Sequence, residues 1–85
     1  MDDFTKLYKK VRRTFTRNKA EWDYTNTGLR TFQLKGTNVC VTLLDSIARN
    51  NTTGYKYNVM SNKLPAIPCN THQEVIKAIE YKLKN

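Results

Sequence analysis

The first apolar residues of the chain recur at intervals of three and four positions, which is the spacing of one face of an amphipathic helix. These residues are Phe4, Leu7, Tyr8, Val11 and Phe15. Asp2 and Asp3 lie at the start of this pattern, where an N-cap and a negative charge near the helix dipole are favourable. The pattern therefore predicts a helix from about Asp3 to Asn18 whose other face is exposed to solvent.

Between Trp22 and Met60 the apolar residues alternate with polar ones, and clusters of Gly, Asn and Thr interrupt the alternation. A period of two is typical of strands, and such clusters are typical of turns. Residues expected to face the core are Phe32, Leu34, Val39, Val41, Leu43, Tyr57 and Val59, and those expected to face away are Thr31, Gln33, Lys35, Thr42, Lys56 and Asn58. The run 22–25 fits either a strand or a loop around a buried Trp22, and the third run extends to about Ala48. The pattern predicts a three- or four-stranded antiparallel meander.

The last third of the chain predicts a connection followed by a second helix. Pro65 and Pro68 are incompatible with a helix or a central strand. Thr71 and Glu74 have the spacing of a capping box, in which each residue satisfies a donor of the other. The helix is expected to bury Val75, Ile76, Ile79 and Leu83, and to carry Lys77, Glu80, Lys82 and Lys84 elsewhere on its surface.

This order of elements predicts a small two-layer α+β domain in the order α-β-β-β-α, with one domain spanning residues 1–85. Each helix has one apolar stripe, so we expect both to pack on the same face of the sheet. The length of 85 residues excludes a two-domain enzyme or a catalytic barrel. No apolar run approaches the ~18 residues of a membrane span, and the charged start is unlike a secretory signal. With two cysteines in the chain, we predict a cytoplasmic location and no membrane partner.

Positive charge is concentrated at the start of the chain. The whole sequence has 15 Lys and Arg against 7 Asp and Glu, a formal net charge of +8, and residues 1–19 hold seven of the basic and two of the acidic residues. Such a basic helix face favours binding to phosphates. The residues predicted to bind nucleic acid are Lys9, Lys10, Arg12, Arg13 and Arg17, with Lys35 and Lys56 as secondary contacts. The alternatives are a solvated face that maintains solubility, and a helix on anionic lipid, which conflicts with the need for its apolar stripe in the core.

Residues that could carry catalysis or bind a metal are few. His72 is the single histidine, and Cys69 stands three positions before it. A zinc site would need Cys40, Cys69, His72 and a further ligand. Each glycine lies at a predicted turn, so no phosphate-binding loop is present. We therefore expect no catalytic site, no metal and no cofactor, and we predict that the protein is not an enzyme.

The α-β-β-β-α order resembles the layout of the double-stranded-RNA-binding domain. That family binds RNA through a lysine-rich start of its last helix, whereas the corresponding stretch here is Asn70-Thr71-His72-Gln73-Glu74. The resemblance therefore extends to layout alone, and no site residue is transferred from it. A three-stranded sheet with a helix is also similar to the small DNA-binding arms of some phage integrases, again without a matching motif.

Two function hypotheses follow from the basic helix. The first is a small non-enzymatic nucleic-acid-binding protein; the second is a phage-type inhibitor or adaptor that binds an acidic surface of a host protein. Exposed Trp22, Tyr24 or Tyr55 would serve the second hypothesis as anchors. Ten Lys, nine Asn and eleven Thr are a composition typical of small proteins of phages and other mobile elements. A homodimer through an edge strand is compatible with both hypotheses.

Overall fold

Two helices enclose a run of strands along the chain. The computed structural model describes residues 2–24, 30–44, 54–62 and 65–84. Within these residues the helices are α1 (Asp3–Thr14) and α2 (His72–Lys84), and the strands are β1 (Ala20–Trp22), β2 (Thr31–Leu34), β3 (Cys40–Leu43), β4 (Tyr57–Met60) and β5 (Ile67–Cys69). The strands form one antiparallel sheet in chain order. The predicted α+β class and the helix–meander–helix order are confirmed.

The sheet has five strands, where the sequence predicted three or four, because the proline-containing connection forms β5. Pro68 lies in this strand and pairs with Asn58 of β4. The Lys56 amide donates to the Cys69 carbonyl at 3.1 Å, so the backbone groups of Pro68 face the free edge, where a missing amide hydrogen costs no sheet bond. The chain thus departs from the three-stranded order of the double-stranded-RNA-binding domain.

The opposite edge of the sheet is β1. It spans residues 20–22, so it begins two residues before the predicted run 22–25 and shares only Trp22 with it. Trp22 is half-buried, and the predicted position Thr25 lies outside the described residues. The Tyr8 hydroxyl of α1 donates to the Ala20 carbonyl at 3.0 Å. An α1 side chain therefore occupies one acceptor of this edge strand. The predicted end of the third strand near Ala48 also lies outside the described residues.

Helix α1 begins as predicted but ends at Thr14 rather than near Asn18. The Asp2 carboxylate caps the helix by accepting from the Thr5 amide at 2.8 Å. At the other end Phe15 leaves the helical conformation, with φ −108° and ψ 72°. The Thr14 hydroxyl donates to the Lys10 carbonyl at 2.8 Å, a local bond that together with β-branching disfavours continuation of a helix.

Both helices pack on one face of the sheet, as predicted. The core they share with it comprises Phe4, Leu7, Val11, Ala20, Phe32, Leu34, Val39, Val41, Tyr57, Val59, Cys69, Val75, Ala78 and Ile79. On the other face, Thr31 and Thr42 pair across β2 and β3. They face away from the core, as expected, but they are not exposed: each is 3% exposed, and their hydroxyls lie 3.2 Å apart.

Helix α2 begins with the predicted capping box. The Glu74 amide donates to the Thr71 hydroxyl at 3.1 Å, and that hydroxyl donates to the Glu74 carboxylate at 3.1 Å. The buried residues of the helix are Val75, Ala78, Ile79 and Lys82. The surface position predicted for Lys82 is wrong because Lys82 lies three residues after Ile79, on the buried stripe. Its ammonium donates to the Pro65 carbonyl at 2.8 Å, while Leu83 is 37% exposed.

No helix within the described parts of the chain is both long enough and apolar enough to span a membrane.

Candidate nucleic-acid interface

Helix α1 and the turn after it carry a continuous set of exposed cations, which we name the α1 basic surface. Its members are Lys6, Lys9, Lys10, Arg12, Arg13, Arg17 and Lys19, all exposed. The helix buries Phe4, Leu7 and Val11 against the sheet, so helical periodicity directs its basic residues outward. Because α1 ends at Thr14, Arg17 lies in the following turn rather than on the helix. The structure therefore places four of the five predicted primary contacts on the solvent side of α1 and the fifth, Arg17, exposed in the turn that follows it.

The cations of the α1 basic surface have no carboxylate partner among the described residues. The ion pairs among the described residues are all made by other side chains. They join Arg30 to Asp2, Lys35 to Glu21 and His72 to Asp3. The Arg12 guanidinium instead lies 6.0 Å from the centre of the Tyr8 ring. Unpaired cations at this density repel one another, and a polyanion would relieve that repulsion.

The two carboxylates near the start of α1 are engaged there, at the end of the helix opposite to Arg12 and Arg13. Asp2 caps α1 and pairs with Arg30, and these hydrogen bonds, from Thr5 first, hold its pKa well below the usual range. Asp3 accepts from the Tyr57 hydroxyl, and its carboxylate lies 3.2 Å from Nε2 of His72. Neither carboxylate therefore neutralises the cations near the end of the helix.

The Asp3 contacts give a pH-dependent contribution to stability. The Tyr57 hydrogen bond, followed by the His72 hydrogen bond and charge, lowers the pKa of Asp3 below its ordinary value of 3.8. A depressed folded-state pKa stabilises the fold above the unfolded-state pKa, and this contribution is lost as the pH falls through the folded-state pKa. We expect Asp3→Asn to lower the free energy of unfolding near neutral pH, and the difference from the unmodified protein to shrink below the pKa range of carboxyl groups, about pH 4.

Urea denaturation at a series of pH values measures this difference. Glu80→Gln is the matched control, because Glu80 is an exposed carboxylate on α2. A destabilisation by Asp3→Asn that is equally large at neutral and acid pH would show that the carboxylate charge is not responsible.

The two predicted secondary contacts lie at opposite ends of the sheet. Lys35 is beside the α1 basic surface, since its amide donates to the Lys19 carbonyl at 3.1 Å and Gly36 makes the turn with a φ of 79°. Its ammonium lies 3.7 Å from a Glu21 carboxylate oxygen, with both side chains largely exposed. Lys56 is at the other end, where its charge contributes to the lowered pKa of Asp3.

Arg30 is a structurally engaged cation that the sequence analysis did not single out. Its guanidinium lies 5.3 Å from the ring centres of Phe4 and Trp22, and it donates to the Thr5 hydroxyl at 3.1 Å as well as pairing with Asp2. It lies just before β2, where no periodic pattern indicates its partners. Its contacts are internal, so it does not extend the α1 basic surface.

The two cysteines considered for metal binding lie on opposite faces of the sheet. Cys40 pairs with Met60 on the outer face of the sheet, whereas Cys69 is buried on the inner face. Both thiols are free, and burial raises the pKa of each, which disfavours the reactive thiolate. His72 packs beside Tyr57, with ring centres 6.0 Å apart. No cluster of three metal-ligating side chains occurs in the described parts of the chain.

Comparisons with protein families, with curated proteins and with solved structures gave no significant match to this chain.

Proposed function

We propose that this chain is a small non-enzymatic nucleic-acid-binding protein that contacts phosphates through the α1 basic surface. The observation that carries the proposal is the set of seven exposed cations on α1 and the turn after it, without a carboxylate partner among the described residues. Neutralising phosphates with Lys and Arg releases condensed counterions, which favours binding without a preformed pocket.

The primary contacts in this proposal are Lys9, Lys10, Arg12, Arg13 and Arg17, all exposed. Lys35 is a secondary contact, because its backbone lies against the end of the same surface. Lys56 would be reached only by a ligand that extends past the start of α1. The proposal assigns no catalytic group, and the composition rich in Lys, Asn and Thr supports a phage or mobile-element origin.

A titration of labelled nucleic acid at two salt concentrations tests the proposal. Five phosphate contacts predict that the affinity for duplex DNA falls with a log–log slope of about −4.5, which is roughly 500-fold between 50 and 200 mM salt. Fluorescence anisotropy measures both affinities directly. Failure of duplex DNA, single-stranded DNA and RNA to bind at low salt would refute the proposal.

The competing hypothesis gives the same cations an acidic host protein as partner. Tyr24 favours it as an anchor, because this side chain is 86% exposed and exposed aromatic residues often carry the affinity of protein interfaces. If nucleic acid does not bind, recovery of one acidic protein by the unmodified chain, and its loss in Tyr24→Ala, would support this second function.

A further inference from the structure

The α1 basic surface offers charges but no aromatic ring on which a base can stack. Phe4 is buried, and Tyr8 and Phe15 are half-buried against the core. The Tyr8 ring is stacked on Trp22 with centres 4.4 Å apart, and the Arg12 guanidinium lies over it. The tyrosines that are exposed in the described residues are Tyr24 after β1, Tyr55 before β4 and Tyr81 on α2.

The lack of exposed aromatic rings on this surface affects the binding of single-stranded and double-stranded nucleic acid differently. A flexible single strand loses conformational entropy when it is held on a rigid surface, and proteins that bind it offset this cost by stacking its bases on aromatic side chains. A duplex is already ordered and keeps its bases paired. It also carries one phosphate charge per about 1.7 Å of axis, compared with about 3.4 Å for one strand.

The α1 basic surface is long enough to contact several phosphates of a duplex, which follow one another about every 1.7 Å of axis. Helix α1 has 12 residues and is therefore about 18 Å long. Beside the cations, the exposed residues of the turn after α1 include Thr16, whose hydroxyl can donate to a phosphate oxygen.

We infer that the ligand of the α1 basic surface is double-stranded nucleic acid, bound through its phosphates without reading of base sequence. This inference rests on the proposed function and specifies the substrate class of the same surface. The absence of exposed aromatic rings from the surface is what favours the duplex. Contacts to phosphates carry no sequence information, so binding through them is expected to be indifferent to sequence.

Anisotropy titrations with probes of equal length test the inference. The probes are three duplex DNAs of unrelated sequence, one duplex RNA, and an oligothymidylate that forms no secondary structure, all at one low salt concentration. We expect at least one type of duplex to bind about tenfold or more tightly than the single strand, and the three DNA duplexes to agree within about twofold.

The outcomes distinguish this inference from the proposed function. Single-strand binding as tight as duplex binding, or a tenfold spread among the DNA duplexes, would overturn the inference while leaving nucleic-acid binding intact. No binding to any probe would remove both. Tyr24→Ala is a second test: we expect unchanged duplex affinity, and a loss of fivefold or more would show that stacking contributes.

Discussion

Replacing Phe32 with alanine is expected to lower the free energy of unfolding by about 3–5 kcal/mol. Phe32 is fully buried in β2, and its ring centre lies 5.3 Å from that of Phe4, 5.4 Å from that of Tyr8 and 6.0 Å from that of Trp22. The substitution removes apolar area and leaves a cavity between the sheet and α1. A domain of 85 residues has a total stability of about 4–13 kcal/mol, so the loss is a large part of the whole.

Urea denaturation followed by circular dichroism measures the change. Tyr24→Ala is the control, since it removes an aromatic ring that is 86% exposed and should change stability by less than about 0.5 kcal/mol. A loss below about 1 kcal/mol for Phe32→Ala would contradict the central place of this ring in the core.

The second large effect is expected from reversing two charges of the α1 basic surface. The double variant Lys9→Glu/Arg13→Glu should weaken duplex binding by about 100-fold or more, because each hydrogen bond to a charged group contributes about 1.5–3 kcal/mol. Losing two phosphate contacts should also make the salt slope shallower by about 1.8. Arg12 is left unchanged, because its guanidinium contacts the Tyr8 ring.

The matched control is Lys77→Glu/Lys84→Glu on α2. It changes the net charge by the same amount. Lys77 lies in the middle of α2 and Lys84 in its last turn, just as Lys9 lies in the middle of α1 and Arg13 in its last turn. We expect the control to weaken binding by less than about tenfold and to keep the salt slope. Equal weakening by both variants would show that only overall charge matters, and that the α1 basic surface is not the binding site.

Local sequence patterns predicted the start of α1, the capping box of α2 and the inward side of the strands because these features depend on neighbouring residues. Asp2 at the N-cap and Thr71 with Glu74 need no information from the rest of the fold. The basic residues of α1 were placed correctly outside because the apolar stripe determines which face is buried. The exposure of the proposed contacts on α1 could therefore be predicted from the helical periodicity alone.

The features that the sequence did not predict depend on residues distant in the chain. Pro68 is acceptable in β5 only because that strand lies at an edge, and the neighbours of a strand are not a local property. The ammonium of Lys82, which its place on the apolar stripe of α2 buries, donates to the Pro65 carbonyl across 17 positions of sequence. The contact of Asp3 with Tyr57 spans 54 positions. No periodic pattern contains such pairings.

The two edges of the sheet also bear on how the protein behaves at high concentration. An open edge strand is a template for pairing with another chain, which leads to aggregation. Here the Tyr8 hydroxyl already donates to the Ala20 carbonyl of β1. In β5, Pro68 has no amide hydrogen to donate. A second copy that paired with β1 at Ala20 would have to displace Tyr8, and one that paired with β5 would find an incomplete ladder. Each edge strand of the sheet thus carries a feature that disfavours pairing with a second chain.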